Sequence, residues 1–234
     1  MVIDGGRVEA VVFDVDGTLV DSAYEHTLAW ARAFKELGVR VPGWRIHRHI
    51  GMGGDQLVEA VAGADVERRL GDRARELEQA RYRELIDEVQ PFAAATEILA
   101  ACRESGLRVI LASSAKGEEL AHYLDLLDGH EHADDWTSAP DVEHTKPDPD
   151  LIEVALEKAG TRAGVMVGDS VWDVVAAARA GIPTLGVLTG GSGRAELEEA
   201  GAAAVFESLE DLHRSLADGL LSSTVVSVGP VPTA

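Results

Sequence analysis

Short apolar runs and helical segments alternate regularly in the second half of the chain. Apolar runs predict strands at 108–112, 165–167, 183–187 and 203–206. Helical patterns predict helices at 94–105, 116–127, 149–159, 171–180, 194–200 and 208–217. Strands that alternate with helices form a parallel sheet that is covered on both faces. The pattern therefore predicts an α/β fold with a Rossmann-like, doubly wound parallel sheet core.

One more apolar run, at 8–13, predicts a buried strand that a long helical stretch separates from the others. Helical patterns follow it at about 22–37, 55–62 and 66–89, with an irregular, Gly-rich stretch at 41–54. We therefore expect an α/β core at 1–20 and 89–221, with an inserted all-helical cap domain at 21–88. The small residues, Gly and Pro of 222–234 predict a poorly ordered tail.

The charge balance limits the partners of the chain. Its 41 acidic residues against 21 Lys and Arg give a net charge of −20. Such a surface repels nucleic acid and anionic membranes, so neither is an expected partner. The sequence has no recognisable secretory segment or membrane-spanning apolar run, and we expect a cytoplasmic protein, either a monomer or a homodimer. An anionic substrate would need local positive charge, which a divalent cation would supply.

Polar residues stand where the predicted strands end. Asp14 and Asp16 follow the first strand, Ser113 follows the second and Asp169 follows the third, while Lys146 lies in the loop before that third strand. The carboxyl ends of parallel strands meet at one edge of the sheet, where ligands bind in open α/β folds. We therefore expect carboxylates, a hydroxyl and an ammonium group to converge on one site.

These residues belong to a series of motifs: DVDGT at 14–18, LAS at 111–113, KPDP at 146–149 and GDSVWD at 168–173. Their type and order resemble those of the haloacid dehalogenase superfamily, in the branch that carries a helical C1-type cap after the first strand. The resemblance spans about residues 8–207. This branch of the superfamily includes phosphoglycolate phosphatases and β-phosphoglucomutases. It implies a Mg²⁺-dependent enzyme that acts on a small phosphorylated metabolite.

The resemblance also implies a role for each motif residue. Asp14 is the nucleophile that forms an aspartyl phosphate. Mg²⁺ binds to Asp14, to Asp169 and to the backbone carbonyl of Asp16, whose side chain is the general acid and then the general base. Ser113 holds a phosphate oxygen, and Lys146 neutralises charge on the transferring group.

The cap stretch 44–54 concentrates Arg, His and Gly in an otherwise acidic chain. In similar capped enzymes, a cap segment near this position faces the catalytic pocket and contacts the leaving group. The candidate substrate-binding residues are therefore Arg45, Arg48, His49, Gly51 and, in the core, Ser114. Alternatively, the stretch is a solvated basic face that pairs with carboxylates of the cap.

Several alternatives remain open. Asp173 either holds water on the metal or orients Lys146. A sugar-phosphate mutase similar to β-phosphoglucomutase would share every core residue. A non-catalytic phosphoester-binding module is a further alternative, but such a module would have lost at least one motif residue, and all of them are present. Asp16 argues against a dehalogenase, and the position of Lys35 in the first cap helix argues against a Schiff-base mechanism. The sequence favours hydrolysis of a phosphomonoester.

Overall fold

A computed structural model describes residues 2–3, 6–115 and 117–220, and its centre is a six-stranded parallel sheet. A short antiparallel ribbon of β1 (Val2–Ile3) and β2 (Gly6–Arg7) precedes the sheet. The sheet strands are β3 (Ala10–Asp14), β4 (Arg108–Ala112), β5 (Asp135–Thr137), β6 (Gly164–Gly168), β7 (Thr184–Val187) and β8 (Ala204–Phe206). The predicted α/β class with a doubly wound parallel sheet is confirmed.

The strand order places β3 at the point where the direction of winding changes. The order is β5-β4-β3-β6-β7-β8, so the chain first builds outward on one side of β3 and then on the other. In open parallel sheets the ligand crevice lies beyond the carboxyl ends of the strands at such a reversal. The carboxyl end of β3, occupied by Asp14, is therefore the expected centre of the site.

The first four helices after β3 form a separate layer with its own apolar cluster. They are α1 (Ala23–Glu36), α2 (Gly43–His47), α3 (Gly54–Ala62) and α4 (Ala64–Tyr82). Trp30, Phe34, Ile46 and Leu57 pack together in this cluster. The division of the chain into a core and a cap at residues 20/21 and 88/89 remains a prediction.

The remaining helices cover the two faces of the sheet. They are α5 (Ala95–Glu104), α6 (Glu118–Leu126), α7 (Gly129–His132), α8 (Asp150–Ala159), α9 (Val171–Arg179), α10 (Arg194–Ala200) and α11 (Leu209–Ala217). Successive side chains of a strand point to opposite faces. Accordingly, Val11 and Phe13 of β3 pack in one buried cluster and Val12 packs in the other.

The described elements differ from the sequence prediction in several places, including β1, β2 and α7, which were not predicted. A short helix, α2, lies within the stretch expected to be irregular. Helix α4 ends at Tyr82, and a separate 3₁₀ turn (Ile86–Glu88) follows it. Strand β5 lies in a stretch expected to be a loop. It was not predicted because a three-residue edge strand with polar residues gives no apolar run.

The predicted tail, 222–234, lies outside the described residues. None of the described helices combines the length and apolarity needed to cross a membrane.

Candidate active site

The structure brings the predicted motif residues together at the carboxyl edge of the sheet. Asp14 ends β3, and its side chain is almost completely buried, as are those of Ser113, Lys146 and Asp169. Asp16 is 8% exposed. Asp169 directly follows β6, the strand that pairs with β3. The convergence follows from the parallel topology, because each strand delivers its last residues to the same edge.

The Lys146 ammonium group is held between two carboxylates. It donates a hydrogen bond to Asp14 Oδ1 and another, 2.7 Å long, to Asp173 Oδ1. The other oxygen of Asp173 accepts hydrogen bonds from the backbone N and the Oγ of Ser170, at 3.0 and 2.6 Å. Burial alone would lower the pKa of Lys146, but Asp14 and Asp173 raise it above its ordinary value. The lysine is therefore charged and fixed in direction.

Buried carboxylates next to this pair form a group suited to a divalent cation. One oxygen each of Asp14, Asp169 and Asp173 lies within 4.8 Å of the others. Burial and the nearby Asp173 raise the pKa of Asp169 to about 7 and that of Asp14 well above its ordinary value. Oxygen donors are the ligands that Mg²⁺ prefers, and a cation would relieve the repulsion among them. The residues present therefore fit a magnesium site.

Two glycines allow the backbone to approach Asp169 closely. A Cβ on Gly190 would lie 1.7 Å from Asp169 Oδ2, and one on Gly17 would lie 2.9 Å from the same atom. Gly17 also has a φ of +77°, which disfavours other residues. The sequence analysis did not single out Gly190, although the Gly-Gly pair just beyond β7 was a usable signal.

The carboxylate of Asp16 is surrounded by hydrogen-bonding partners. Oδ1 accepts a hydrogen bond from Ser22 Oγ at 2.9 Å and lies 3.3 Å from His26 Nε2, while Oδ2 accepts one from Ser113 Oγ at 3.0 Å. Burial would raise the pKa of Asp16, but the hydrogen bond and charge of His26, together with hydrogen bonds from Tyr123 and Ser22, outweigh burial and lower the pKa to about 2. The hydroxyl of Ser113 is thus directed at Asp16, and its role at a phosphate oxygen remains a prediction.

His26, on α1, is a site residue that the sequence analysis did not identify. Its Nδ1 lies 3.0 Å from Glu78 Oε1, its Nε2 lies 3.8 Å from Glu119 Oε1, and its ring stacks on Tyr82 with 3.7 Å between centroids. Burial would lower the pKa of His26, but hydrogen bonds to Asp16 and Glu78 raise it well above its ordinary value. The imidazole is therefore protonated at neutral pH.

A cavity of about 570 Å³ lies between the helical layer and the sheet edge. Asp14, Asp16 and Lys146 line its floor, and Gly51 and Ser114, both predicted to bind substrate, contribute to its walls. Its size is within the range typical of small-molecule sites. A ligand in this cavity would contact the catalytic candidates directly.

The structure places the predicted cap cations outside this cavity. Arg48 pairs with Glu196, and Arg45 donates to the Ala60 carbonyl at 3.2 Å. The His49 ring stacks on Trp172, and both residues line a separate cleft of about 270 Å³. Arg48 also lines this cleft, which includes Asp169, and the role of Arg45, Arg48 and His49 in substrate binding remains a prediction. The guanidinium group that does line the main cavity is Arg75 of α4, which was hidden among the many charges of that helix.

Comparison with known proteins gives consistent results. The model of the haloacid dehalogenase-like hydrolase family matches residues 8–181. A phosphoglycolate phosphatase of Shigella boydii serotype 4 (strain Sb227) is 30% identical over 229 residues, which cover 88% of this chain and 91% of the relative.

Solved structures share the fold over nearly the whole chain. A hydrolase from Pseudomonas syringae is 31% identical, with a TM-score of 0.84, and the match covers 90% of this chain and 99% of that one. A structure assigned as a β-phosphoglucomutase of Bacteroides vulgatus is 25% identical, with a TM-score of 0.78 and coverage of 90% and 88%. The similarity therefore includes both phosphatases and mutases.

Proposed function

This chain belongs to the haloacid dehalogenase-like hydrolase family and is a phosphatase, and we propose that it hydrolyses a small phosphomonoester through a phosphoryl group carried on Asp14. The observation that carries the proposal is the buried contact between the Asp14 carboxylate and the Lys146 ammonium group at the floor of the cavity. A carboxylate fixed in this way faces a bound phosphate as a nucleophile, and the lysine offsets the negative charge of the transferring group.

The proposed reaction has two steps. In the first, an oxygen of Asp14 forms a bond to phosphorus while the bond from phosphorus to the leaving oxygen breaks, and Asp16 supplies a proton to that oxygen. In the second, the oxygen of a water molecule forms a bond to phosphorus while the bond from phosphorus to the Asp14 oxygen breaks, and the water gives a proton back to Asp16. The products are an alcohol, inorganic phosphate and the regenerated Asp14 carboxylate.

The proton for the leaving oxygen belongs to the hydrogen-bonded pair of Asp16 and His26. The lowered pKa of Asp16 and the raised pKa of His26 place this proton on the imidazole when no substrate is bound. A leaving oxygen that gains negative charge would draw the proton through Asp16. His26 would therefore act on the reaction by positioning and supplying Asp16.

Asp14, Asp169 and the backbone carbonyl of Asp16 would hold Mg²⁺. The cation would supply positive charge that offsets the repulsion between the carboxylates and the phosphate. Asp173 is already engaged by Lys146 and Ser170, which favours its role as an orienting residue.

The Asp14→Asn variant tests the proposal. With Mg²⁺ present, it should release no measurable phosphate from p-nitrophenyl phosphate, because an amide cannot form the acyl phosphate. Asp21→Asn, the same change at an exposed position, should keep full activity. Acid quenching of the wild-type protein during turnover should trap a phosphorylated protein, and quenching of the Asp14 variant should not. Normal turnover by Asp14→Asn would overturn the proposal.

A sugar-phosphate mutase is the second candidate, and the similarity to a structure assigned as a β-phosphoglucomutase favours it. A mutase would convert a hexose phosphate into its isomer with little release of inorganic phosphate. Product analysis of a hexose 1-phosphate reaction distinguishes the two, whereas a non-catalytic phosphoester-binding module would form neither product.

A further inference from the structure

Two buried tyrosines meet next to Asp16. Tyr82 is the last residue of α4 and Tyr123 lies on α6, and each side chain is only 1% exposed. Their hydroxyl groups form a hydrogen bond with each other. Both rings belong to the larger of the apolar clusters on the sheet, although Tyr82 starts from a helix of the other layer. Packing therefore fixes the two rings, and the hydroxyl groups satisfy one another where water is excluded.

The hydrogen bonds of the two tyrosines run in one direction. Tyr123 makes a hydrogen bond to the Asp16 carboxylate, which can only accept, so the single hydroxyl proton of Tyr123 is donated to Asp16. The oxygen of Tyr123 is then the acceptor for the hydroxyl group of Tyr82. Burial raises the pKa of both tyrosines above the ordinary value, so both keep their protons. The contacts form a chain of donors from Tyr82 through Tyr123 to Asp16.

Tyr82 also supports a second partner of Asp16. The ring of His26 stacks on that of Tyr82, with 3.7 Å between centroids and 3° between the planes. His26 Nε2 lies 3.3 Å from Asp16 Oδ1. Tyr82 thus contacts both His26, on α1, and Tyr123, on α6, and it fixes these two partners of Asp16 relative to each other.

The direction of the Asp16 carboxylate matters for the proposed reaction. One of its oxygens must face the leaving oxygen at hydrogen-bonding distance, because proton transfer by a side chain depends first on geometry. A small displacement of a reacting group can cost a large factor in rate. Donors that hold the carboxylate from the side remote from substrate would therefore increase the rate of proton transfer without touching the substrate.

We propose that the hydroxyl groups of Tyr82 and Tyr123 position the Asp16 carboxylate for proton transfer to the leaving oxygen, with Tyr82 acting through Tyr123. The inference rests on the proposed phosphatase reaction, in which Asp16 delivers that proton. Neither tyrosine is among the described residues that line the cavity above Asp14, so both are positioning residues. The transferred proton passes between Asp16 and the leaving oxygen, and each tyrosine keeps its own.

Two substrates with the same ring test this role. Phenolate is a poorer leaving group than p-nitrophenolate, so phenyl phosphate depends more on the proton from Asp16 than p-nitrophenyl phosphate does. With Mg²⁺ present, Tyr123→Phe should lower kcat for phenyl phosphate by roughly tenfold, because a hydrogen bond to a charged group is lost, and for p-nitrophenyl phosphate by about twofold or less. Both KM values should stay near those of the wild type. A loss by the same factor on both substrates would indicate structural support alone and would overturn the inference.

A double-mutant cycle tests the order of the chain. Tyr82→Phe keeps the ring that stacks on His26 and removes the hydroxyl group. It should lower kcat for phenyl phosphate by roughly threefold in the wild-type background and should cause no further loss in the Tyr123→Phe background. Losses that multiply in the double variant, or an unchanged rate in Tyr82→Phe, would overturn the action of Tyr82 through Tyr123.

Tyr24→Phe is the matched control, because it makes the same change at a tyrosine that is 61% exposed, and it should change neither rate. Thermal melts show whether each variant folds. If a single variant does not fold because one buried hydroxyl group has lost its partner, the double variant replaces both groups and avoids that cost. It should then show the roughly tenfold loss on phenyl phosphate, and an equal loss on both substrates, or no loss, would overturn the inference.

The wild-type protein separates failure of this inference from failure of the proposed function. Hydrolysis of neither aryl phosphate would remove the proposed function together with the inference. Hydrolysis of p-nitrophenyl phosphate without hydrolysis of phenyl phosphate would leave the phosphatase reaction standing and would overturn the inference, because no proton transfer to a poor leaving group would remain for the tyrosines to assist.

Discussion

Asp55, in the first turn of α3, accepts hydrogen bonds from the backbone N of Thr145, at 3.1 Å, and from its hydroxyl group. Thr145 directly precedes Lys146, whose ammonium group holds Asp14. The backbone at Gly53 also lies so close to Thr145 that a Cβ on Gly53 would be 1.9 Å from Thr145 Oγ1. The helical layer is thus connected by hydrogen bonds to the loop that carries Lys146.

Asp55→Ala should lower kcat for p-nitrophenyl phosphate by roughly fivefold to thirtyfold, since loss of the acceptor costs about 1–2 kcal/mol and loosens the Lys146 loop. Asp55→Asn keeps one acceptor oxygen and should recover part of the rate. Asp65→Ala removes an exposed carboxylate of α4 that pairs with Arg68 and Arg69, and it should leave kcat near the wild-type value. Equal losses in the two alanine variants would contradict a specific role for Asp55.

Gly190→Ala should weaken Mg²⁺ binding by about tenfold or more, because the new Cβ would lie 1.7 Å from Asp169 Oδ2 and would displace that carboxylate. Titration calorimetry with Mg²⁺ measures the effect independently of turnover. Gly43→Ala is the matched control, since a Cβ there would meet nothing within 4 Å. Unchanged Mg²⁺ affinity in the Gly190 variant would argue against Asp169 as a ligand.

The positions of the main catalytic candidates could be predicted because they depend on local patterns. An apolar run that ends in Asp gives a strand with its carboxylate at the sheet edge, and parallel topology brings Asp14, Lys146 and Asp169 to that edge. Each of these residues lies next to a recognisable strand or motif. No knowledge of distant contacts was needed.

Other site residues depend on packing that the sequence pattern does not encode. His26 acquires its role from Glu78, which is 52 residues away in the chain. Burial of Ile46 fixes which face of α2 points inward, and Arg45 and Arg48 consequently lie outside the catalytic cavity. Cation-rich composition alone could not reveal the direction in which those side chains point.

Thermal stabilisation by Mg²⁺ should be larger at pH 8 than at pH 5.5. Burial and Asp173 raise the pKa of Asp169 to about 7, so the folded, metal-free protein binds a proton there that the unfolded chain loses at lower pH. The contribution of Asp169 to the stability of the metal-free protein is therefore fully present below about pH 4 and is lost as the pH rises through about 7.

Because Mg²⁺ competes with this proton, its affinity should fall by up to about tenfold for each pH unit below 7. Thermal melts with and without Mg²⁺ at the two pH values measure the difference. Asp169→Asn should show a much smaller Mg²⁺-induced rise in Tm at both values. If the Mg²⁺-induced rise in the Tm of the wild-type protein were equal at pH 5.5 and pH 8, this result would contradict the assignment of Asp169 as a metal ligand.

His26→Ala should slow the hydrolysis of an alkyl phosphate more than that of p-nitrophenyl phosphate. An alkoxide needs a proton in order to leave, whereas p-nitrophenolate leaves readily without one, so only the first reaction depends strongly on Asp16 and its partner. Because general acid catalysis contributes about 10²–10⁴-fold, we expect a loss of roughly 10–100-fold in kcat for 2-hydroxyethyl phosphate and a few-fold loss for p-nitrophenyl phosphate.

His130→Ala, at an exposed position of α7, is the control and should change neither rate. The difference between the two substrates in the rate lost by His26→Ala distinguishes a positioning role of His26 from a structural one. If His26 only supported the fold through its stacking on Tyr82, both substrates would lose activity by the same factor and the melting temperature would fall with it. A loss confined to the alkyl phosphate would show that His26 acts on the proton that Asp16 delivers.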